Sequence, residues 1–391
     1  MAIEALLPSH RQVFIDLDGP AHYDDPTDPV YPYEPPSAEE TINQLAAAPA
    51  HSFDTVILSL PSRPRSKSTT KTVAALARLL ASPACMDLST LRIAGSLHLL
   101  NDRYLQNVLK ELHIQTLILQ ETRSICDSYA LAGLLHALNG ITVLHISVDE
   151  KRDTDIHQSF QEEVFQTLSK LQKLSINTIG DASQTLKDIF GSGTLAGCEE
   201  LDVAFQSEAW TTGMTSALLN AGSGFPTLRC IAISRWTSDT KFSSVCDGTY
   251  LIPLLSLASL QHIDVCTDNA EESIEFPHVD FLPPGLVSLN MAYAGLSNPL
   301  DLYLDLEAAL DRFESLQKIS LAHTYPSEET IEAAADEWEV VRSSTGHPGA
   351  AKASASVALT RFANMLELRN ISFRLKLTGG KTHEERAHLA R

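Results

Sequence analysis

A six-residue pattern, apolar at its first, fourth and sixth places and usually polar at its fifth, recurs nine times in this chain. It starts at Leu88, Ile114, Ile141, Leu171, Cys198, Leu228, Leu260, Leu286 and Leu316. The fourth residues are Leu91, Leu117, Leu144, Leu174, Leu201, Ile231, Ile263, Leu289 and Ile319, and neighbours lie between 26 (Leu91 to Leu117) and 32 (Ile231 to Ile263) positions apart. Such a period signals stacked supersecondary units rather than one globular sheet. Inside each hexad the alternation is that of a short strand with one buried face. Helix-like stretches separate the hexads: Asp127 to Asn139, Trp210 to Asn220, Leu302 to Phe313, and Ser327 to Val341, where Ser327 suits the N-cap and Glu328 and Glu329 the first turn. A crossover helix between successive strands leaves them parallel. Repetition is then expected to curve the parallel sheet into an arc, strands on the concave side and helices on the convex side.

On these hexads the chain resembles the leucine-rich repeat family, of the irregular, ribonuclease-inhibitor-like kind. Looser matches at Phe53-Asp-Thr-Val56-Ile-Leu58 and Leu368-Arg-Asn-Ile371-Ser-Phe373 extend the resemblance to both ends. The fold expected is an α/β leucine-rich repeat solenoid of about 10–11 repeats. Residues 1–50 are expected to form an N-terminal cap with a Pro-rich loop, 51–378 the repeat domain with an inserted helix and flexible loop at about 327–356, and 379–391 a C-terminal tail. The family's commoner repeats place Asn or Cys three residues after the sixth place, whereas Gln206, Trp236, Asp268, Ala294 and Thr324 stand there in this chain. That departure, with the uneven repeat lengths, is similar to intracellular leucine-rich proteins of filamentous fungi, many of which carry an N-terminal F-box. Leu7-Pro8 and Val13 to Ile15 echo the start of an F-box, but Asp18 to Pro36 would break its helices.

Composition restricts the functional classes. With 44% hydrophobic and 20% charged residues the chain can build a core. No apolar run approaches the ~18 residues a membrane helix needs, and MAIEALLPSHRQ has neither the basic start nor the apolar stretch of a secretory signal, so a cytoplasmic protein, or a nuclear one, is expected. The six cysteines, Cys85, Cys126, Cys198, Cys230, Cys246 and Cys266, show no C-x-x-C spacing, which favours buried free thiols over disulfides or zinc. The formal charge of −20, from 29 Lys+Arg against 49 Asp+Glu, opposes binding to a phosphate backbone. The acidic runs read as solvated helix faces, with a basic protein partner as the sharper alternative.

Fragments that imitate sites break down on inspection. Gly380-Lys381-Thr382 would need a glycine at Leu375 to be a phosphate-binding loop, and Gly191 to Gly197 follows a helix rather than a strand. His383 and His388 are five apart, about 140° around a helix, too far for a shared metal. Pro26-Thr-Asp-Pro29 has polyproline spacing without a flanking basic residue, and Arg63 to Lys71 reads as an exposed basic loop. Val13-Phe-Ile-Asp16-Leu-Asp18-Gly19 resembles the opening of haloacid dehalogenase-type phosphatases, with Asp16 as nucleophile and Asp18 as acid/base. Pro20 stands where that family has Thr or Val, so the phosphatase is the alternative reading and a capping strand the main one.

With no catalytic, cofactor or metal site to name, the expected function is non-enzymatic: a protein-protein interaction scaffold binding its partner on the concave face. A role as substrate-recognition component of a ubiquitin ligase is what the F-box resemblance implies. The third, fifth and seventh places of each hexad face away from the core. The candidate partner-binding residues there and on the adjoining rim are His145, Lys173, Asn177, Asp202, Phe205, Arg235, Trp236, Asp264, Asn290, Tyr293 and His323.

Overall fold

The computed structural model describes residues 11–17, 38–60, 69–95, 97–120, 128–138, 140–149, 170–179, 197–205, 226–235, 246–267, 274–292, 294–295, 299–324, 359 and 361–378. The chain divides into two compact units, Met1–Cys198 and Glu199–Arg391.

In the first unit, strands β1 (Gln12–Asp16), β2 (Thr55–Ser59), β3 (Thr90–Ala94), β4 (Thr116–Gln120), β5 (Val143–Asp149) and β6 (Lys173–Ile179) pair in parallel and in sequence order. Their register is the hexad register: Val13, Val56, Leu91, Leu117, Leu144 and Leu174 are consecutive partners, so every fourth-place residue lies beside the next. These six side chains and their sixth-place companions are all buried. Each contributes roughly 1.5–3 kcal/mol on leaving water, which fixes the register because a slip of one residue would turn the whole set outward. β1 joins on equal terms although His10 occupies the hexad's first place, the reason the pattern alone reads it as a cap.

Backbone bonding repeats as faithfully as the side chains. The carbonyl at the second place of each hexad accepts from the second- and third-place N–H groups of the next: Gln115 and Thr116 donate to Ser89, Thr142 and Val143 to Gln115, and Gln172 and Lys173 to Thr142. Helices α1 (Ala38–Ala46), α2 (Thr69–Leu80), α3 (Arg103–Glu111) and α4 (Ser128–Ala137) run between strands of this unit. Asp102 caps α3 by accepting from the N–H groups of Tyr104 (2.9 Å) and Leu105 (3.1 Å). The basic stretch expected to be loop as far as Lys71 is already helix from Thr69, because Val73, Leu76 and Leu80 recur at helical spacing and are buried. Gly95 closes β3 at φ +90, and an added Cβ would meet the Leu60 carbonyl oxygen at 1.9 Å, so no other residue fits there.

At the start of β1, Arg11 donates to Asp87 Oδ2 (2.7 Å) and to the His51 carbonyl (3.0 Å), while His51 Nδ1 meets Asp87 Oδ1 at 2.8 Å. The hydrogen bonds from His51 and Arg11 hold the Asp87 carboxyl below its ordinary range. This cluster ties the first two repeats to the loop before β3, although all three groups are substantially solvated and the pairs are worth little individually.

In the second unit, β7 (Glu200–Phe205), β8 (Cys230–Arg235), β10 (His262–Thr267), β12 (Ser288–Ala292), β14 (Lys318–Thr324) and β15 (Ser372–Thr378) form the same parallel arrangement. Leu201, Ile231, Ile263, Leu289 and Ile319 again pair in fourth-place register and are buried. The sequence does not foreshadow a second, small parallel sheet, in which β9 (Cys246–Asp247) and β13 (Ala294–Gly295) flank β11 (Ile274–Glu275). Buried Ile274 and Phe276 anchor its middle strand. The helix expected over Leu302 to Phe313 is found at Pro299–Ala309, continued by a 3-10 turn at Leu310–Arg312. The helices expected at Trp210 to Asn220 and Ser327 to Val341 lie outside the described residues.

The last hexad is displaced. Sequence spacing assigns Ile371 and Phe373 to the fourth and sixth places, but Ile319 pairs with Phe373 and Leu321 with Leu375. A helix over 361–368 occupies the start of the supposed hexad, leaving Leu368 84% exposed. Asn370, at φ 57, ends that helix: its N–H bonds the Glu367 carbonyl and the Ile371 N–H reaches back to Leu366, the Schellman arrangement. β14 pairs directly with β15, so no further strand of this sheet lies between them.

The parallel strands in hexad register, with helices in the connections, are the α/β leucine-rich repeat fold. Six such strands are described in each unit, one more in all than the hexads read from the sequence. Among the described residues no helix is long and apolar enough to cross a membrane.

Candidate functional site

Because side chains alternate along a strand, burying the fourth and sixth places commits the third, fifth and seventh to the other face. Parallel register lines them up in rows that cross the strands. In the second unit the third-place row is Glu200, Cys230, His262, Ser288, Lys318 and Ser372. The fifth-place row is Asp202, Ala232, Asp264, Asn290, Ser320 and Arg374. All twelve are partly or fully exposed.

These rows bring three of the expected site residues together. Asp202 and Asp264 flank Ala232 in register, and Asn290 Nδ2 donates to Asp264 Oδ1 at 2.8 Å. Partial burial pushes the Asp264 carboxyl above its ordinary range, opposed by the Asn290 hydrogen bond, while Asp202 raises it further and Lys318 lowers it. Next to them, His262 Nδ1 meets Ser288 Oγ at 2.8 Å. The arrangement sets fixed acceptors and donors on neighbouring strands. Phe205, Arg235 and His323 lie in β7, β8 and β14, but their side chains are outside the description, and Trp236 and Tyr293 lie outside the described residues.

In the first unit, His145, Lys173 and Asn177 stand on β5 and β6, at the fifth, third and seventh places. All three are partly buried, and the side-chain oxygen of Asn177 is fully covered with no hydrogen-bond partner among the described residues. The same face carries Arg92, whose Nε donates to Gln120 Oε1 at 2.8 Å.

Three features of these faces escape the sequence reading. Phe14, Ile57 and Ile118 share the fifth-place row with Arg92, giving the first unit an apolar band. The signal was present, since each is a fifth-place residue. Arg374 joins the fifth-place row of the second unit through the displaced last hexad. The third concerns the cysteines. Cys85 and Cys198 are buried free thiols, as expected, but Cys230 and Cys266 are only partly buried and occupy third and seventh places on the non-core face. The signal was again present, since the third and seventh places face away from the core.

That difference has a chemical consequence. Burial pushes the Cys85 thiol up to about 11, only partly offset by the neighbouring Ser82 side chain. At pH 8 the thiolate is then on the order of a thousandth of the total. Iodoacetamide applied to the folded protein is expected to label Cys230 and Cys266 well before Cys85 and Cys198, with peptide mass mapping as the readout. Early labelling of Cys85 would contradict the packing around it.

Asp16 ends β1 at the seventh place, in register with Ser59, so it belongs to a repeat strand; Asp18 lies outside the described residues. Val13 to Ile15 are in β1 as well, and those residues are therefore strand rather than F-box helix. Among the described residues no group of three or more His, Cys, Asp or Glu is placed to hold a metal ion.

No protein-family model matches the chain, and no curated protein matches it. Among solved structures it is similar to the leucine-rich repeat-containing protein LegL7 from Legionella pneumophila, with 15% identity, 91% of this chain and 92% of that one covered, and a TM-score of 0.41. It is also similar to the Leptospira interrogans LRR protein LIC12759, at 12% identity, covering 88% and 81% respectively, with a TM-score of 0.33. The assignment of the repeat fold rests on this chain's own strand register and buried hexads.

Proposed function

We propose that the chain is a non-enzymatic scaffold that binds a protein partner on the non-core face of its repeat strands. The observation that carries this reading is the set of rows: third- and fifth-place side chains from consecutive strands, about 4.8 Å apart, remain accessible and carry charge and hydrogen-bonding groups. A rigid lattice of that kind offers many simultaneous contacts at small entropic cost on binding. Asp202, Asp264 and Asn290 are its central elements in the second unit. His145, Lys173 and Asn177 are the corresponding group in the first, and the sequence pattern offers Phe205, Arg235, Trp236, Tyr293 and His323 as further contacts.

Replacing Asp202, Asp264 and Asn290 together with Ala removes both partners of the hydrogen bond between Asn290 and Asp264, so neither of those two is left facing an orphaned group. Partner recovery in affinity purification is expected to fall at least about tenfold, a loss of about 1.4 kcal/mol or more, with the melting temperature nearly unchanged. Asp16→Asn should leave recovery intact. Undiminished capture by the triple variant would move the binding surface elsewhere, and a phosphatase activity lost in Asp16→Asn would replace the scaffold with an enzyme. Service as a ubiquitin ligase adaptor is the narrower form of this proposal, suggested by the resemblance to fungal F-box proteins. Ligase subunits in the same purification would support it.

A further inference from the structure

The charges on the non-core face of the second unit are sorted by strand. Its carboxylates in the third- and fifth-place rows, Glu200, Asp202 and Asp264, come from β7 and β10, and its cations, Lys318 and Arg374, from β14 and β15. Between the two groups β12 contributes only neutral Ser288 and Asn290 to these rows. Asn290 holds Asp264 in place through its 2.8 Å hydrogen bond. Lys318 and Arg374 stay exposed although the chain as a whole carries a net charge of −20, so the segregation runs against the average composition.

Strand spacing of about 4.8 Å turns the register into a ruler. Asp202 and Asp264 are two spacings apart, about 10 Å, and Asp264 and Arg374 three spacings apart, about 14 Å. An extended peptide advances about 3.3–3.6 Å per residue. We infer that this face binds an extended polypeptide segment laid across the strands, with two basic residues about three positions apart over Asp202 and Asp264 and an acidic residue about four positions further on, over Arg374. A uniformly basic segment would meet Lys318 and Arg374, and a uniformly acidic one would meet the β7–β10 carboxylates, so like-charge contact rejects both. The inference rests on the scaffold reading and gives the partner its chemistry.

The test uses the full chain as bait for a phage-displayed library of random peptides of about 12 residues, which extended exceed the ~24 Å from β7 to β15. Selection is run at about 50 mM salt, where the Debye length is about 14 Å and contacts between a peptide charge and the side chain beneath it are only weakly screened. Enriched peptides are expected to carry Lys or Arg in one half and Asp or Glu in the other, at the stated spacing. Their affinity should fall about tenfold for the Asp202→Asn, Asp264→Asn double variant. Lys318→Glu with Arg374→Glu should instead select peptides basic throughout. Peptides that lose binding in these variants but show no charge segregation would overturn this inference and leave the scaffold reading standing. Peptides bound equally by all three proteins would overturn both, and absence of any enrichment also counts against the inference. Circular dichroism of each variant confirms that the fold is retained.

Discussion

Ile231→Asp is expected to unfold the unit Glu199–Arg391 at ordinary temperature or to lower its melting point by on the order of 10 °C or more. Ile231 is 2% exposed and packed between Leu201 and Ile263, its register partners on either side. A carboxylate there would lose its hydration among aliphatic side chains with no partner, and the group would protonate or the strand would leave its place. Either outcome adds the cost of burying a polar group to the lost packing, several kcal/mol in all. The matched control is one residue on, at Ala232, which faces away from the core. Ala232→Asn should be tolerated, whereas Ala232→Asp would set a third carboxylate between Asp202 and Asp264 and be penalised by like-charge contact. Thermal melts of Ile231→Asp and Ala232→Asn decide the matter. A larger loss in Ala232→Asn than in Ile231→Asp would mean that the two faces of β8 have been exchanged, and the rows of candidate residues with them.

Phe362→Ala should cost about 3–5 kcal/mol, the usual range for emptying a buried phenylalanine site. Phe362 is fully buried in the helix over 361–368, with its ring 5.8 Å from that of Tyr303 and 5.6 Å, edge-on, from that of Phe373. It therefore joins three elements: its own helix, the helix Pro299–Ala309 and the strand β15. Hydrogen exchange adds a sharper readout than the melting temperature. In Phe362→Ala the amides of β15 should lose protection first, since this strand depends on the helix before it for cover, while β7 and β8 keep theirs. Unchanged exchange in β15 would show that the helix is not what holds the last strand.

Much of this architecture was legible because one physical rule is repeated. A strand with its fourth and sixth residues buried must present its third, fifth and seventh to the other side, and Leu91, Leu144, Leu201 and Ile263 all obey it. The hexads therefore determine strand positions, parallel direction and the side on which Asp202, Asp264 and Asn290 stand. Periodicity failed where another element competed for the same residues. Leu368 to Phe373 spells a hexad, yet the helix over 361–368 and the left-handed Asn370 move the strand two residues along. β1 was under-read for the opposite reason, since His10 masks a strand whose Val13 and Ile15 pack like any other.

Contacts between repeats are decided by tertiary structure alone. Nothing in the sequence spacing says that Asn290 will donate to Asp264, that Arg92 will reach Gln120, or that Arg11, His51 and Asp87 will meet, because these pairs are separated by 26, 28, 36 and 76 residues and are brought together only by the stacking of repeats. The sorting of carboxylates to β7 and β10 and cations to β14 and β15 has the same origin. Local alternation determines which face a charge occupies, since it depends on the sign of one residue's displacement from the strand. Which charges become neighbours depends on the order in which strands stack, a property of the assembled sheet.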